Sequence, residues 1–357
     1  MISKLLNKIK YLFFNVFLSY IYNMNLTVTG YGPNQSKDKL TKQTYCHEKT
    51  GNNEVVVDVT HCGICYSDIH LIDNDWGISQ YPFIPGHEIV GTISSIGRSV
   101  KGLKIGQRVG IGWFSKLCGK CTYCKSDRDN MCSTPEMTAV GRNGGFANHV
   151  IVDQSVVFPI PAKLKSEHAA PLMCAGWTVH GAYRGYKIKP KSRVAVLGIG
   201  GLGHLGIQYG KALDFHITAI TSSKNKFNEA KKFGAKQVIT YKDLKDYKNS
   251  FDFILVTAHA DLDWTSLADT LDVDGNICFV GVPPSPISIH AFSLIMKRIK
   301  ISGNPGGSRK MMKEMLKIAA NKGIKPIIEK FSFKDVNKAI DKVKSNKIRY
   351  RAVLTNE

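Results

Sequence analysis

Four cysteines stand close together as Cys118-x2-Cys121-x2-Cys124-x7-Cys132. Thiolates are soft ligands, and four at these spacings can close a tetrahedron around Zn2+. Four protein ligands leave no open position, so such a metal would be structural; an iron–sulfur cluster is the alternative. A second group is scattered. Cys62-Gly63-Ile64-Cys65 is a C-x-x-C, a pattern shared by redox and metal sites. His87 and Glu88 adjoin within Pro85-Gly86-His87-Glu88-Ile89-Val90-Gly91, and Cys174 follows much later in Pro171-Leu172-Met173-Cys174-Ala175-Gly176. Taken singly these stay ambiguous, because a lone buried cysteine usually packs as a small hydrophobe. The third group is Gly198-Ile199-Gly200-Gly201-Leu202-Gly203, a G-x-G-x-x-G. Its first glycine permits a tight turn, its second lets backbone approach a pyrophosphate, and its third lets helix and strand pack closely. The free N–H groups of the following helix then face the phosphates.

These residues need elements to hold them. Residues 24–160 read as β-rich, with Glu54–Val59 and Ile89–Ile93 as short β-branched runs bounded by turn residues. From about residue 190 strand and helix alternate. Arg193–Leu197, Ile217–Ile220, Gln237–Ile239, Phe251–Val256 and Ile277–Val280 are expected strands, the pattern of a doubly wound parallel sheet. The tail adds expected helices at Met312–Asn321 and Phe333–Val343 and an end strand at Arg351–Thr355. The glycine-rich turn lies between an expected strand and an expected helix, the context that gives the pattern meaning. An NAD site usually ends its second strand with Asp or Glu for the ribose 2′-hydroxyl. Here Ala219-Ile220-Thr221-Ser222-Ser223-Lys224-Asn225-Lys226 has no acid in that stretch but offers hydroxyls and lysines. Ser222, Ser223 and Lys226 suit a 2′-phosphate, so NADP(H) is expected over NAD(H).

At 357 residues the chain exceeds one ordinary core, so two domains are expected. Its apolar fraction of 43% excludes a mainly disordered chain and a multi-span membrane protein. Lys plus Arg total 49 against 28 acids, a formal charge of +21. The lysines are scattered rather than gathered into one run, so the surface reads as generally basic and no nucleic-acid partner is expected. Nine cysteines, an odd number, suit a reducing compartment, and a cytoplasmic location is expected. Residues 1–23 differ from the rest: Lys4, Lys8 and Lys10 precede a largely apolar stretch from Tyr11 to Tyr22, with no small-residue cleavage site after it. They read either as an artefact upstream of Met24 or as a targeting or anchoring segment. No membrane partner is expected unless that extension belongs to the natural protein.

The combination resembles the zinc-dependent medium-chain alcohol dehydrogenases, most of all the cinnamyl alcohol dehydrogenase type. The resemblance runs over about residues 45 to 354. Its motifs occur in order: Cys65-Tyr66-Ser67-Asp68-Ile69-His70, then Gly86-His87-Glu88-x2-Gly91-x5-Gly97, the four-cysteine lobe, and the glycine-rich turn. It implies an α/β fold with a β-rich GroES-like catalytic domain (24–174 plus 312–357) and a Rossmann NADP-binding domain (175–311). It implies two Zn2+ per chain. Cys65, His87 and Cys174 would hold the catalytic zinc, with Glu88 an exchange ligand, and Cys118, Cys121, Cys124 and Cys132 the structural one. Cys62 would be packing or lie just outside the metal ligands. Ser67 would take the substrate proton and pass it through the cofactor ribose to His70, while the metal acts as a Lewis acid. Thr178, Gly198, Gly200, Gly201, Leu202, Gly203, Thr257, Gly281 and Asn304 would touch the cofactor, and Arg351 its pyrophosphate.

The implied activity is interconversion of primary alcohols and aldehydes with NADP(H), with aromatic or apolar aldehydes as substrates. Trp76, Trp113 and Phe114 are candidate pocket walls. A homodimer is the common assembly in that family. Tyr66 stands where the subgroup usually has His, which removes a positive charge near the cofactor phosphates. Two other readings compete: an NAD-linked polyol or secondary-alcohol dehydrogenase, and a zinc-stabilised nucleic-acid-binding protein.

Overall fold

The computed structural model describes residues 26–47 and 50–356. The N-terminal extension named above lies outside them. Two sheets organise the chain. The first is mixed and runs Ile328–Ser332, Arg351–Thr355, Glu54–Ile64, Glu88–Ile96, Arg108–Ile111, Phe158–Pro159, with His149–Asp153 also paired to Glu54–Ile64. The second has six parallel strands in the order Gln237–Thr240, His216–Thr221, Arg193–Leu197, Phe251–Val256, Leu271–Phe279, Lys300–Gly303. Numbered along the chain that order is 3-2-1-4-5-6, the doubly wound dinucleotide fold. The expected fold class is the observed one.

The expected strands are all present, most of them longer than the sequence pattern indicated. Glu54–Ile64 runs past Val59 through Cys62 because Arg351–Thr355 pairs with its second half, Leu354 opposite Cys62 and Ala352 opposite Ile64. The tail thereby returns to the first sheet. The penultimate long helix starts at Arg309, before the expected Met312, because Ser308 caps it by accepting from the Met311 N–H. The last one opens as a 3-10 turn at Phe333–Asp335 and becomes α-helical at Val336.

Three strands of the mixed sheet converge at one end. Glu54–Ile64 finishes there, while Glu88–Ile96 and Arg351–Thr355 begin there, with Gly63 opposite Glu88. Val55, Val57, Val59, Ile89 and Leu354 fill the core beneath them. Burying these apolar side chains fixes the register, since a one-residue slip would turn each to the opposite face.

Candidate active site and metal centres

Cys65 lies at the point where the strand Glu54–Ile64 gives way to the helix Tyr66–Asp73, and it caps that helix. Asp68, three residues on, accepts from the Cys65 N–H at 2.9 Å. The other Asp68 oxygen accepts from Gly86 N at 3.0 Å and His87 Nδ1 at 2.9 Å. Gly86 has φ +103, a left-handed conformation that glycine adopts at little cost, and this turn delivers His87. Cys174 lies in a π-helical turn, Leu172–Gly176, between the helices Ser166–Pro171 and Trp177–Gly185. The ligand atoms of Cys65, His87, Glu88 and Cys174 all lie within 4.8 Å of one another. The two sulfurs are 4.0 Å apart, against about 3.8 Å for two thiolates on a tetrahedral zinc with bonds of about 2.3 Å. Asp68 can only accept, so His87 Nδ1 carries the hydrogen. Nε2 is buried without a hydrogen-bond partner and can offer its lone pair to a metal once it gives up any proton. That donor set fits a zinc ion.

The electrostatics agree. Cys174 donates to Cys65, and this bond outweighs burial to hold the Cys65 thiol well below its ordinary range. The same bond, with burial, pushes Cys174 well up. Burial pushes His87 down, but Asp68 and Cys65 together more than offset it and hold it well above the usual histidine value. A metal that binds there must displace protons, so its affinity falls at low pH. Glu88 is pushed up to about 8 by burial, against the pull of Arg351. Its Oε1 accepts from Arg351, while Oε2 has no partner. A Cβ on Gly63 would fall 2.0 Å from that Oε2, so glycine at 63 makes the room the Glu88 carboxylate occupies.

The four lobe cysteines form the second group, again with all ligand atoms within 4.8 Å. Cys118 and Cys124 have sulfurs 3.8 Å apart. Here backbone amides surround the sulfurs. Cys121 N donates to Cys118 Sγ, Cys124 N to Cys121 Sγ, and Cys118 N to Cys132 Sγ, at 3.4–3.5 Å. Hydrogen bonds from the Ser133 and Cys124 amides pull Cys121 down to about 5. Those from Cys121 and Lys120 also lower Cys118. Burial and its cysteine neighbours push Cys124 up to about 12. Four thiolates would fill every position on a tetrahedral metal here.

The glycine-rich turn joins the strand Arg193–Leu197 to the helix Gly203–Ala212 at the crevice where the order of the parallel sheet reverses. A Cβ on Gly203 would stand 1.8 Å from the Gly198 carbonyl oxygen, so helix and strand pack too closely for any other residue. A Cβ on Gly200 would meet nothing within 4 Å, leaving open space where a pyrophosphate fits. Thr257 Oγ1 donates to the Leu197 and Gly198 carbonyls at 3.0 and 2.9 Å, and Gly281 packs on the Thr257 backbone. Lys226 Nζ reaches the Ile199 carbonyl at 2.8 Å, so the lysine after the second strand meets the glycine loop. Ser222 is exposed and Ser223 is half-buried beside it. Leu202 caps the helix. Thr178, buried, lies one residue after Trp177. Asn304 donates to the Gly181 carbonyl in that same helix at 3.3 Å.

The model of the alcohol dehydrogenase GroES-like domain matches residues 51–162, and that of the zinc-binding dehydrogenases matches residues 201–321. An aldehyde reductase of Synechocystis is 38% identical over 92% of this chain and 99% of its own length. An NADP-dependent alcohol dehydrogenase C of Mycobacterium tuberculosis is 33% identical over 92% and 98%. The solved cinnamyl alcohol dehydrogenase of Sorghum bicolor superposes with a TM-score of 0.88 at 32% identity, covering 92% of this chain and 98% of that one. The chain belongs to the zinc-containing medium-chain alcohol dehydrogenases. Two cysteines and a histidine are a donor set that a catalytic zinc takes in alcohol dehydrogenase, and the Glu88 carboxylate lies within the same cluster.

The alcohol dehydrogenase fold also exposes residues the sequence pattern did not single out. Asp68 is the largest omission. It was visible only as the third residue after a helix-capping position, and its role as the partner of His87 depends on a turn 18 residues away. Such carboxylate–histidine pairs orient the ring and raise ligand basicity. Asp75 accepts from His70 Nδ1 at 2.7 Å. Arg351, which the resemblance had put at the cofactor pyrophosphate, sits between the two sites: it pairs with Glu88, and its Nη1 would be 2.9 Å from a Cβ on Gly201 of the glycine turn. Among the candidate walls, the Trp113 ring stands edge-on to His87 at 4.9 Å, and Trp76 stands 6.2 Å from Trp113 and 5.0 Å from His70. Phe114 packs on Trp177 at 6.0 Å and lines a small cavity with Trp113, Leu117, Asp129 and Arg309. Cys62 is fully buried in the core.

Proposed function

We propose that this alcohol dehydrogenase interconverts primary alcohols and aldehydes with NADP(H) and reduces aromatic or apolar aldehydes. The observation that carries the reading is the buried Cys65–His87–Glu88–Cys174 cluster, with Ser67 and the Trp113 ring beside it. Cys65, His87 and Cys174 would hold a zinc ion, which would supply Lewis acidity to the substrate oxygen. Ser67 Oγ, 3.6 Å from Cys65 Sγ, accepts the hydroxyl proton of the alcohol. The Asp75 carboxylate can only accept, so His70 Nδ1 carries the hydrogen and Nε2 is free to take the relayed proton. Trp113 and Trp76 offer flat apolar faces to the substrate. Glu88, tied to Arg351, stands behind the ligands as the exchange carboxylate.

NADP(H) is favoured over NAD(H) by Ser222, Ser223 and Lys226, with no acid among the residues that directly follow the second strand. The relatives named for NADP dependence support the same choice. Two charge-assisted hydrogen bonds at about 1.5 kcal/mol each would give roughly a hundredfold in binding, part of it lost to solvent at this open end. The test is the initial rate with NADPH and NADH across aldehydes from short aliphatic to cinnamyl. NADPH is expected to be favoured at least about tenfold in kcat/KM. Equal efficiency with NADH, or preference for polyols, would move the function to the NAD-linked reading.

A second copy of the chain is the proposed assembly partner. Among the described residues the strand Lys300–Gly303 ends the parallel sheet with an unpaired edge, and on the helix Ala291–Lys297 that precedes it Phe292, Ile295 and Met296 are 65–72% exposed. Light scattering of the purified protein distinguishes a dimer from a monomer.

A further inference from the structure

The cysteine lobe is stitched to the cofactor side of the molecule. Between Cys124 and Cys132 lies the short turn Asp129–Met131. The side chain of Asp129 is 5% exposed. One oxygen accepts from Arg309 N at 2.8 Å and the other from Arg309 Nε at 2.6 Å. The next residue, Asn130, donates through Nδ2 to the Gly306 carbonyl at 3.2 Å. Two consecutive lobe residues therefore hold both ends of the segment 306–309.

That segment has little slack. Gly306 has φ +136, and a Cβ there would fall 2.4 Å from the Trp177 ring. The Gly306 N–H donates to Asn304 Oδ1 at 2.7 Å, and Trp177 Nε1 donates to the Gly307 carbonyl at 2.6 Å. A Cβ on Gly181 would fall 2.5 Å from Gly307 N, so helix Trp177–Gly185 and this turn touch backbone to backbone. Any shift of Gly306 must move Asn304, Trp177 or both, because close-packed contacts transmit displacement. Thr178 follows Trp177 directly, and Cys174 lies one turn before it in the same continuous helical run.

We propose that Asp129 and Asn130 are positioning residues for the nicotinamide cofactor. They carry the metal-held shape of the cysteine lobe into the Asn304–Arg309 turn, and through that turn they set Asn304 and Thr178. The proposal rests on the reading that those two residues contact the cofactor. It gives the structural metal a second task besides stability: it holds one wall of the cofactor cleft at its binding geometry. The turn is apart from Ser222, Ser223 and Lys226, so its effect falls on what NADPH and NADH share.

The test uses the full-length zinc-loaded protein, with zinc content measured on every variant. Asp129→Ala is expected to raise KM for NADPH and for NADH by the same factor, about tenfold, with kcat falling less than threefold. Asp129→Asn keeps an oxygen for the Arg309 N–H and is expected to recover most of that loss. Asn130→Ala removes only the bond to Gly306 and is expected to raise both KM values about threefold, which keeps the test open should Asp129→Ala fold poorly. Asn304→Ala serves as the reference. Unchanged KM in the Asp129 and Asn130 variants, beside a raised KM in Asn304→Ala, overturns the proposal alone. Unchanged KM in Asn304→Ala overturns the cofactor reading and the proposal with it. A raised KM for NADPH only, with NADH unaffected, also overturns it.

Discussion

The cysteine lobe draws its four sulfurs from a single short loop, Cys118 to Cys132, whereas the buried cluster collects Cys65, His87, Glu88 and Cys174 from three separate parts of the chain. The lobe sulfurs receive backbone N–H groups, which the loop itself provides. The buried ligands are held by side chains: Asp68 on His87, Arg351 on Glu88. A closed set of four thiolates has nothing left to offer a substrate. Two cysteines and a histidine would leave a position open on a metal, and burial strengthens every charge interaction there. The difference teaches that a local loop suffices to hold a metal, but chemistry on a metal needs a scaffold that sets each ligand independently.

The sharpest way to break this comparison is to remove one sulfur from each cluster. Cys65→Ser is expected to lower turnover roughly a thousandfold or more, the loss of several kcal/mol of charge stabilisation, while circular dichroism stays that of the folded protein. Its zinc content should fall from two to one per chain. Cys121→Ser should act the other way round, lowering the melting temperature by about 4 °C for about 3 kcal/mol of lost stability, with turnover in the folded fraction far less affected. If Cys121→Ser abolishes turnover at full stability, the two roles are misassigned.

Next in size is Ser67→Ala. Turnover is expected to fall about a hundredfold or more, because the proposed proton acceptor beside the buried cluster is gone, with both zinc ions retained. Undiminished turnover would show that the proton leaves by another route. His70→Ala should be milder, since water can stand in for the outer group, and should change the pH profile of kcat.

Asp68→Asn separates the clusters by what supports them. The amide keeps the shape but weakens the hold on His87 Nδ1. The affinity of one zinc is expected to fall about 10–100-fold, read by competition with a chelator, while the lobe zinc is unmoved. Equal weakening of both ions would mean that the substitution acts on the whole fold.

The smallest effect belongs to Gly119, which has φ +67 and open space where a Cβ would sit. Gly119→Ala is therefore strained by conformation alone, at about 1 kcal/mol. The lobe zinc should bind about fivefold more weakly and turnover should stay the same. A Gly119→Ala protein with reduced turnover would join lobe and chemistry more tightly than the bonds through Asp129 allow.

The legibility of each region follows the same division. The lobe could be read directly, since its ligands are neighbours in sequence and their spacing is itself the geometry. The glycine turn was nearly as clear, because strand, turn and helix are consecutive. The buried cluster was different. Cys65 and Cys174 are 109 positions apart, and only the family resemblance joined them. Asp68, Asp75 and the Arg351–Glu88 pair carried no pattern of their own. The contact of Phe114 with Trp177 likewise joins distant parts of the chain that no local pattern links.

Sequence alone determined what is local: the alternation of strand and helix, the closed thiolate loop, the glycine turn, and hydroxyls and a lysine in place of an acid after the second strand. These depend on backbone propensities and on contacts a few residues apart. Tertiary structure decided what is not local. Pairing Arg351–Thr355 and Glu88–Ile96 with the strand Glu54–Ile64 brings Arg351, Glu88 and Cys65 to one end of a sheet, with Gly63 leaving the gap for the carboxylate. The physical reason is burial. A lone carboxylate, guanidinium or unpaired imidazole is costly away from water, so each of these groups is tolerable only beside partners that the folded core supplies from distant positions.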